Sequence, residues 1–245
     1  MLQQLIGHRL ITPPAIWGKL PSHADFVRSR MRHGEAEAWE PWLAEVGRLD
    51  PTRVGVLPPV AFVLPPGLLA FAPARFVIGV VTPSIDRVGR RHPLLVYQLA
   101  SRLWMKRHFE QSTAHPQDWL FWLARALARC TGAAGGGDLR TLEQIVQGLW
   151  QAHAPSAVEL WRAPRLSPDD LVQRDHAVQA MLDQAAMPAL ADDPVTTLRG
   201  VRFFPRADWP MGMLRGSGQG VFWQQDAAGG YVDFATRLPM LWGAS

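Results

Sequence analysis

The segment 83–93 concentrates charged and hydroxyl side chains in a short stretch that reads Pro-Ser-Ile-Asp-Arg-Val-Gly-Arg-Arg-His-Pro. Asp86 stands between Arg87 and Arg90, and Gly89 can adopt a positive φ angle without steric cost. An aspartate can accept a bidentate arginine pair and loop amides together, which would lock the segment into one shape. A loop fixed in this way could also present its arginines to an acidic or phosphorylated partner surface, since preorganisation lowers the entropic cost of binding.

Ser84 and Asp86 allow a second interpretation, in which a hydrolase or phosphatase-like enzyme uses one of them with a nearby histidine. No catalytic motif accompanies them. The chain lacks a Gly-x-x-x-x-Gly-Lys-Ser/Thr phosphate loop, a His-Glu-x-x-His pair, a Cys-x-x-Cys pair and a Gly-x-Ser-x-Gly elbow. The sequence therefore predicts no catalytic residue, no cofactor and no metal, and the enzyme stays the alternative.

A second polar segment, 17–28, reads Trp-Gly-Lys-Leu-Pro-Ser-His-Ala-Asp-Phe-Val-Arg. It combines the end of a strand with a proline turn, and Asp25 is placed to cap a short helix after it. Lys19 and Asp25 are also available for a local ion pair. Taken alone, this segment is interpreted as a structural turn.

Composition indicates a globular protein with a real core, because 48% of the 245 residues are hydrophobic and 19% are charged. The single cysteine, Cys130, cannot form an internal disulfide and follows an apolar helical run, so it is predicted to be buried. The net charge of +4 comes mainly from scattered arginines, and no basic stripe interleaved with stacking aromatics indicates nucleic-acid binding. Without a signal-peptide pattern or an uninterrupted spanning segment, the protein is expected in the cytoplasm.

Hydrophobic periodicity and turn residues predict both helices and strands along the chain. The predicted strands are 15–20, 60–64, 76–82, 93–100, 158–161, 195–204, 221–225 and 231–234, and the predicted helices are 36–49, 117–130, 139–150 and about 168–184. The segment 83–92 becomes the tip of a hairpin between two of the strands. A regular alternation of strand and helix is missing, so we expect one α/β domain over 1–245 with a mixed, largely antiparallel sheet covered by helices.

The two polar segments together resemble the TagF/ImpM family of type VI secretion accessory proteins. That family carries Gly-Lys-Leu-Pro-x-x-Gly-Asp-Phe-Val, which corresponds to 18–27, and Pro-Ser-x-Asp-x-x-Gly-Arg-x-x-Pro-Leu, which corresponds to 83–94. The family's Trp-x-x-Trp-Leu follows at Trp39. Two positions depart from the pattern. Ala24 replaces a glycine, and His92 stands where the family has an aromatic residue that is usually phenylalanine. The resemblance is strongest over 16–100.

The resemblance implies a three-layer α/β/α sandwich with helices on both faces of the sheet. It also implies a cytoplasmic, non-enzymatic regulator of secretion-system assembly that acts after translation. Its expected partner is a forkhead-associated scaffold protein. Through that partner the regulator is expected to act in opposition to a threonine-phosphorylation pathway. Oligomeric state, and whether assembly is repressed or promoted, stay open. The motif residues become the candidates for partner contact: Lys19, Asp25, Ser84, Asp86, Arg87, Gly89 and Arg90.

Overall fold

A seven-stranded antiparallel sheet forms the centre of the protein. The computed structural model describes residues 10–44, 57–106, 118–132, 137–154, 167–185, 219–225 and 231–242. The strands are β1 (Ala15–Gly18), β2 (Val27–Ser29), β3 (Val60–Leu64), β4 (Phe76–Thr82), β5 (Leu94–Ala100), β6 (Val221–Gln225) and β7 (Tyr231–Ala235). Their spatial order is β2-β1-β5-β4-β3-β6-β7, and each pairing between them is antiparallel.

The central strands β3, β4 and β5 are buried along their whole length. Such strands are continuous apolar runs rather than alternating ones, because both of their faces are covered. Strands β4 and β5 pair from Phe76↔Ala100 to Thr82↔Leu94, so they form a hairpin whose tip is the segment 83–93. The predicted hairpin is thereby confirmed.

Helices flank the sheet in the described part of the chain. They are α1 (Glu35–Ala44), α2 (Arg102–Trp104), α3 (Trp119–Thr131), α4 (Leu139–His153), α5 (Pro168–Gln184) and α6 (Leu238–Trp242). Asp118, Asp138 and Ser167 each cap a helix by accepting a hydrogen bond from a backbone amide of its first turn. These caps satisfy amides that have no partner within the helix.

Two hydrophobic clusters form the core, and the strands contribute to both. Along β4, Ile78 belongs to one cluster and Val77 to the other, as expected for alternating strand residues. The first cluster also contains side chains of α3, α4 and α5, and the second contains Trp39 of α1 and Trp242 of α6. The α/β class and the largely antiparallel pairing are therefore confirmed, whereas the expected mixed character is not, because each described strand pairing is antiparallel.

The sequence-based boundaries agree closely with the observed strands 60–64, 76–82 and 221–225, and with the helix that ends at Gln184. Cys130 is buried as predicted, and its burial raises the pKa of the thiol to about 12. The predicted strands 158–161 and 195–204 lie outside the described residues, as does the end of the predicted helix 36–49. Strand β2 and helices α2 and α6 were not predicted. None of the described helices combines the length and apolarity that crossing a membrane requires.

Candidate functional site

The two sequence motifs lie together at one end of the sheet. Segment 19–26 joins β1 to β2, segment 83–93 joins β4 to β5, and β1 pairs with β5. Gly18, the last residue of β1, has φ +134, and a Cβ atom built there would lie 2.1 Å from the carbonyl oxygen of Pro93. This close approach of two backbones requires glycine. It places Lys19 directly beside the hairpin tip.

Lys19 and Asp86 form a buried ion pair at this junction. The Lys19 Nζ atom lies 2.7 Å from Oδ2 of Asp86, and their side chains are 5% and 0% exposed. The Arg90 Nε atom donates to the same oxygen at 2.8 Å. The other oxygen, Oδ1, accepts the backbone amides of Val88 at 3.0 Å and Arg90 at 2.8 Å. One carboxylate thus receives four donors from two parts of the chain.

The surroundings of Asp86 favour its charged form. Burial by itself would raise the pKa of this carboxyl group. The hydrogen bonds from Lys19, from the amides of Arg90 and Val88, and from the Arg90 side chain outweigh that effect and hold the pKa well below its ordinary value. Asp86 is therefore an anion at neutral pH, and its two oxygens accept hydrogen bonds from both the hairpin tip and segment 19–26.

Backbone hydrogen bonds complete the shape of the hairpin tip. The Asp86 amide donates to the Arg90 carbonyl oxygen at 2.9 Å, and the Gly89 amide donates to the Asp86 carbonyl oxygen at 3.0 Å. Gly89 has φ 87, as its position in the motif predicted. The Ser84 hydroxyl is buried and donates to the Lys19 carbonyl oxygen at 2.7 Å. Ser84 therefore ties the hairpin to the neighbouring segment.

Two sequence-based contacts were wrong. Lys19 pairs with Asp86 and not with Asp25, whose Oδ1 accepts the amide of the next residue, Phe26, at 2.8 Å. Strand β2 follows Asp25, so no short helix is capped there. The backbone groups of this segment form hydrogen bonds with β1 instead. Asp86 does pair with an arginine, as predicted, but Arg90 reaches it through Nε at one oxygen only and the pairing is not bidentate. The Arg87 side chain is exposed and forms no ion pair with Asp86, and the Arg87 amide donates to the His23 carbonyl oxygen at 2.8 Å.

The two positions that depart from the family pattern fit their surroundings. The His92 ring lies edge-on to the rings of Trp17 and Phe26, with centroids 4.7 Å apart in both cases, as an aromatic residue would. Burial and the nearby charge of Lys19 lower the pKa of His92, so the ring is neutral at neutral pH. Ala24 is not among the described residues with positive φ, and its carbonyl oxygen accepts a hydrogen bond from Arg90.

The outer surface of the hairpin tip is apolar and basic. Phe26, Ile85 and Val88 are large hydrophobic residues with exposed side chains, and Val88 is 62% exposed. Arg87 and Arg91 are exposed too, and within the described part of the chain neither forms an ion pair. We call these five residues the tip surface. Two cations, Lys19 and Arg90, share the single negative charge of Asp86, so this cluster stays positive overall. Arg87 and Arg91 add further positive charge to the surface that a partner would meet.

Metal chemistry has no support in the described ranges, where no group of three or more histidine, cysteine, aspartate or glutamate residues could hold an ion. One hydrogen bond in the described part of the chain joins a histidine to a serine hydroxyl, between Nδ1 of His23 and Oγ of Ser22 at 2.9 Å. That hydroxyl lies 3.1 Å from the Gly137 carbonyl oxygen, an acceptor that competes for its single proton. This pair therefore ties segment 19–26 to the start of α4.

These features define an α/β protein whose antiparallel sheet carries an ion-paired hairpin tip. Residues 15–148, more than half of the chain, match the TagF N-terminal domain family, which is associated with the type VI secretion system, and the protein belongs to that family. The chain is thus type VI secretion-associated, as its two motifs predicted.

Among solved structures, the chain is similar to the protein PA0076 from Pseudomonas aeruginosa PAO1, at 21% sequence identity and a TM-score of 0.50. The match covers 92% of this chain and 89% of that one. At this identity the similarity concerns the fold alone. No curated protein sequence matches the chain.

Proposed function

We propose that the protein is a non-catalytic regulator of type VI secretion-system assembly that acts after translation by binding a forkhead-associated scaffold protein. The tip surface is the proposed contact. The observation that carries this proposal is the buried Lys19–Asp86 ion pair, which fixes a long exposed loop in one shape. A loop held in this way loses little conformational entropy when a partner binds it.

The geometry of the tip surface supports a protein partner with acidic or phosphorylated groups. Val88 and Ile85 offer apolar contact area. Arg87 lies between them in sequence, and Arg91 follows three residues after Val88. Arginine and aromatic residues are enriched at protein interfaces, and Arg87, Arg91 and Phe26 supply both types to the tip surface. Opposite charge on the partner would also speed association.

The arrangement of Ser84, Asp86 and His92 supports the absence of catalysis at the motif. Asp86 has its oxygens occupied by four donors, and the Ser84 hydroxyl is buried and bonded to a carbonyl oxygen. The His92 Nδ1 atom lies 2.7 Å from the Pro93 carbonyl oxygen, an acceptor, so the ring donates there. A nucleophile needs a base within reach and an accessible position. The Ser84 hydroxyl is buried and already donates its proton to the Lys19 carbonyl oxygen. The hydrolase alternative therefore has little support.

Co-purification tests the proposed partner. The tagged full chain and the forkhead-associated scaffold of the same secretion system are expressed together, and the captured fraction is analysed by size-exclusion chromatography. We expect the two proteins to elute as one complex. The proposal fails if a well-folded scaffold elutes alone in the presence of a folded excess of this protein.

We infer a three-layer α/β/α sandwich within a single domain over 1–245, and the two core clusters, each with helix side chains, support it. One cooperative unfolding transition, seen at the same temperature by tryptophan fluorescence and by far-ultraviolet circular dichroism, is expected for a single domain. Two separate transitions would contradict it. Residence in the cytoplasm and the absence of nucleic-acid binding stay predictions.

A further inference from the structure

A cavity with both charged and apolar side chains in its lining lies at the end of the sheet opposite the hairpin tip. Its volume is about 530 Å³, and its lining includes Arg30, Arg32, Glu35, Tyr97, Gln147 and Trp150. Arg30 follows the last residue of β2, and the start of β1 and the end of β5 also reach the cavity. Ligand sites in proteins commonly have volumes of about 300–1,000 Å³, so this cavity is large enough for a small organic molecule.

Two arginines give the cavity its positive charge. The side chains of Arg30 and Arg32 are exposed, and neither forms an ion pair with another described residue. Arg30 has φ 55, and no other described non-glycine residue has a positive φ angle. A bulky residue in this region of backbone space is uncommon and is often found where function requires a particular side-chain position.

A third arginine lies near the cavity. Arg75 precedes β4 and lies 3.4 Å through its Nη1 atom from the carbonyl oxygen of Leu99, which lines the cavity. Burial and, to a smaller extent, the charge of Arg32 lower the pKa of Arg75. The positive charges of Arg32 and Arg75 thus disfavour each other.

The one carboxylate in the lining is engaged with the protein. Oε2 of Glu35 accepts the Tyr97 hydroxyl at 2.6 Å and the Arg32 backbone amide at 3.0 Å. Burial, followed by the hydrogen bond to Glu35 and its charge, raises the pKa of Tyr97 above its ordinary value, which keeps the hydroxyl protonated as the donor. Glu35 therefore fixes the backbone of Arg32 at the cavity, and the arginines outnumber it.

The opposite wall comes from α4 and supplies an aromatic surface and an unused acceptor. The ring of Trp150 is half-buried, with one edge against Trp119 at a centroid distance of 5.4 Å. Gln147 lies one helical turn earlier, and its Oε1 atom is buried without a hydrogen-bond partner among the described residues. Buried polar atoms of this kind are uncommon in native proteins and call for a partner.

We propose that this cavity binds a small organic anion, with Arg30 and Arg32 contacting its phosphate or carboxylate group and Trp150 contacting its planar or apolar body. Arginine suits this role because its planar guanidinium group binds both of these oxyanions through paired hydrogen bonds. The cavity is separate from the tip surface. The proposal of anion binding and the proposal of a scaffold partner can therefore be tested independently of each other.

Nuclear magnetic resonance on the full-length, ¹⁵N-labelled protein tests this site with four probes: phenyl phosphate, benzoate, inorganic phosphate and benzyl alcohol. The indole N–H signal of Trp150 is assigned from its loss in Trp150→Phe. We expect saturable shifts of that signal with phenyl phosphate or benzoate, and their relative affinity distinguishes a phosphate site from a carboxylate site. Inorganic phosphate should bind more weakly because it lacks the ring, and benzyl alcohol should bind negligibly because it lacks the charge.

Arg32→Ala should weaken binding by about tenfold or more, the loss expected for one charge-assisted hydrogen bond. Arg237→Ala, which removes an exposed arginine near the opposite edge of the sheet, should leave it unchanged. Unchanged melting temperatures would show that both variants are folded. The proposal is overturned if neither organic anion shifts the Trp150 signal saturably, if both variants bind equally, or if benzyl alcohol binds as well as the anions.

Discussion

Lys19 and Asp86 are 67 residues apart in the chain, and their side chains meet in a buried ion pair of 2.7 Å. Each belongs to a different sequence motif, so the pair turns two motifs into one structural unit. Arg90 joins the same carboxylate from the solvent side, with 58% of its side chain exposed. The inner ion pair gives the hairpin tip its shape, and the outer residues of the tip are left for contact with a partner.

Removing either member of this ion pair should destabilise the protein, and the loss should depend on which of the two residues is replaced. A buried pair that loses one partner costs several kcal/mol, which for a chain of this size corresponds to a fall in melting temperature of roughly 6–20 °C. We expect the larger fall for Asp86→Asn, since Lys19 is then buried without its anion. Lys19→Met should cost less, because Asp86 keeps Arg90 and two amides.

The double variant Lys19→Met/Asp86→Asn provides the control for that experiment. Its melting temperature should lie above the value obtained by adding the two single losses, because neither charge is left alone. Strict additivity of the three measurements would show that the two side chains do not depend on each other.

Gly18 and Gly89 both have positive φ angles, but they should respond very differently to alanine. Gly89→Ala meets only backbone strain, because nothing lies within 4 Å of the added Cβ atom, and should lose about 1–2 kcal/mol. Gly18→Ala adds a collision with the Pro93 carbonyl oxygen at 2.1 Å and should lose clearly more than about 3 kcal/mol. Urea denaturation measures both losses. Equal losses would mean that β1 and the hairpin tip are not in close backbone contact.

Acid should destabilise the protein partly through His92. Its pKa is lowered in the folded state, so the unfolded chain binds the proton first as the pH falls below about 6.5, and stability is lost from that pH downwards. His92→Phe keeps the ring beside Trp17 and Phe26 and removes the titration. Its melting temperature should fall less than that of the wild type between about pH 7.5 and pH 5. Parallel pH profiles of the two proteins would contradict this account.

Asp118 should have the opposite pH dependence. Burial raises the pKa of this helix-capping carboxyl to about 7, even though the Phe121 amide donates to Oδ1 at 2.8 Å. The folded state therefore binds the proton more tightly than the unfolded state, and this group's contribution to stability is lost as the pH rises from about 4 to about 7. Asp118→Asn keeps an acceptor for the cap without the titration.

The stability of wild type relative to Asp118→Asn should consequently decline across that pH range in denaturation measurements. Asp118→Ala serves as the matched control, because it removes the cap at every pH and should cost about 1 kcal/mol. A wild-type advantage over Asp118→Asn that grows with pH would show that the carboxyl is charged throughout.

Local patterns were sufficient to predict most of the elements that surround the site. Strands β3 and β4 are β-branched runs bounded by proline and glycine, and α5 begins with Ser167 and Pro168, so periodicity and capping fixed their limits. Strand β2 escaped prediction because three residues carry too little periodicity, and it exists only through its pairing with β1. The positive φ of Gly89 followed from residue type alone.

The Lys19–Asp86 ion pair could not be predicted from local sequence patterns. Asp25 lies close to Lys19 in sequence and was the natural partner by spacing, whereas Asp86 comes into reach only when β1 pairs with β5. The cavity near Arg32 was missed for the same reason, since its lining comes from β1, the segment after β2, α1, β5 and α4. Family membership, by contrast, followed from two motifs whose residues stand at fixed spacing.

Calorimetric titration of the forkhead-associated scaffold with this protein tests the central claim most directly. We predict saturable binding by the wild type, binding weaker by about tenfold or more for Arg87→Glu/Arg91→Glu, and no change for Arg237→Glu, all at unchanged melting temperature. Equal affinity of the wild type and Arg87→Glu/Arg91→Glu, or no binding by the folded wild type, would contradict the assignment of the hairpin tip as the partner contact.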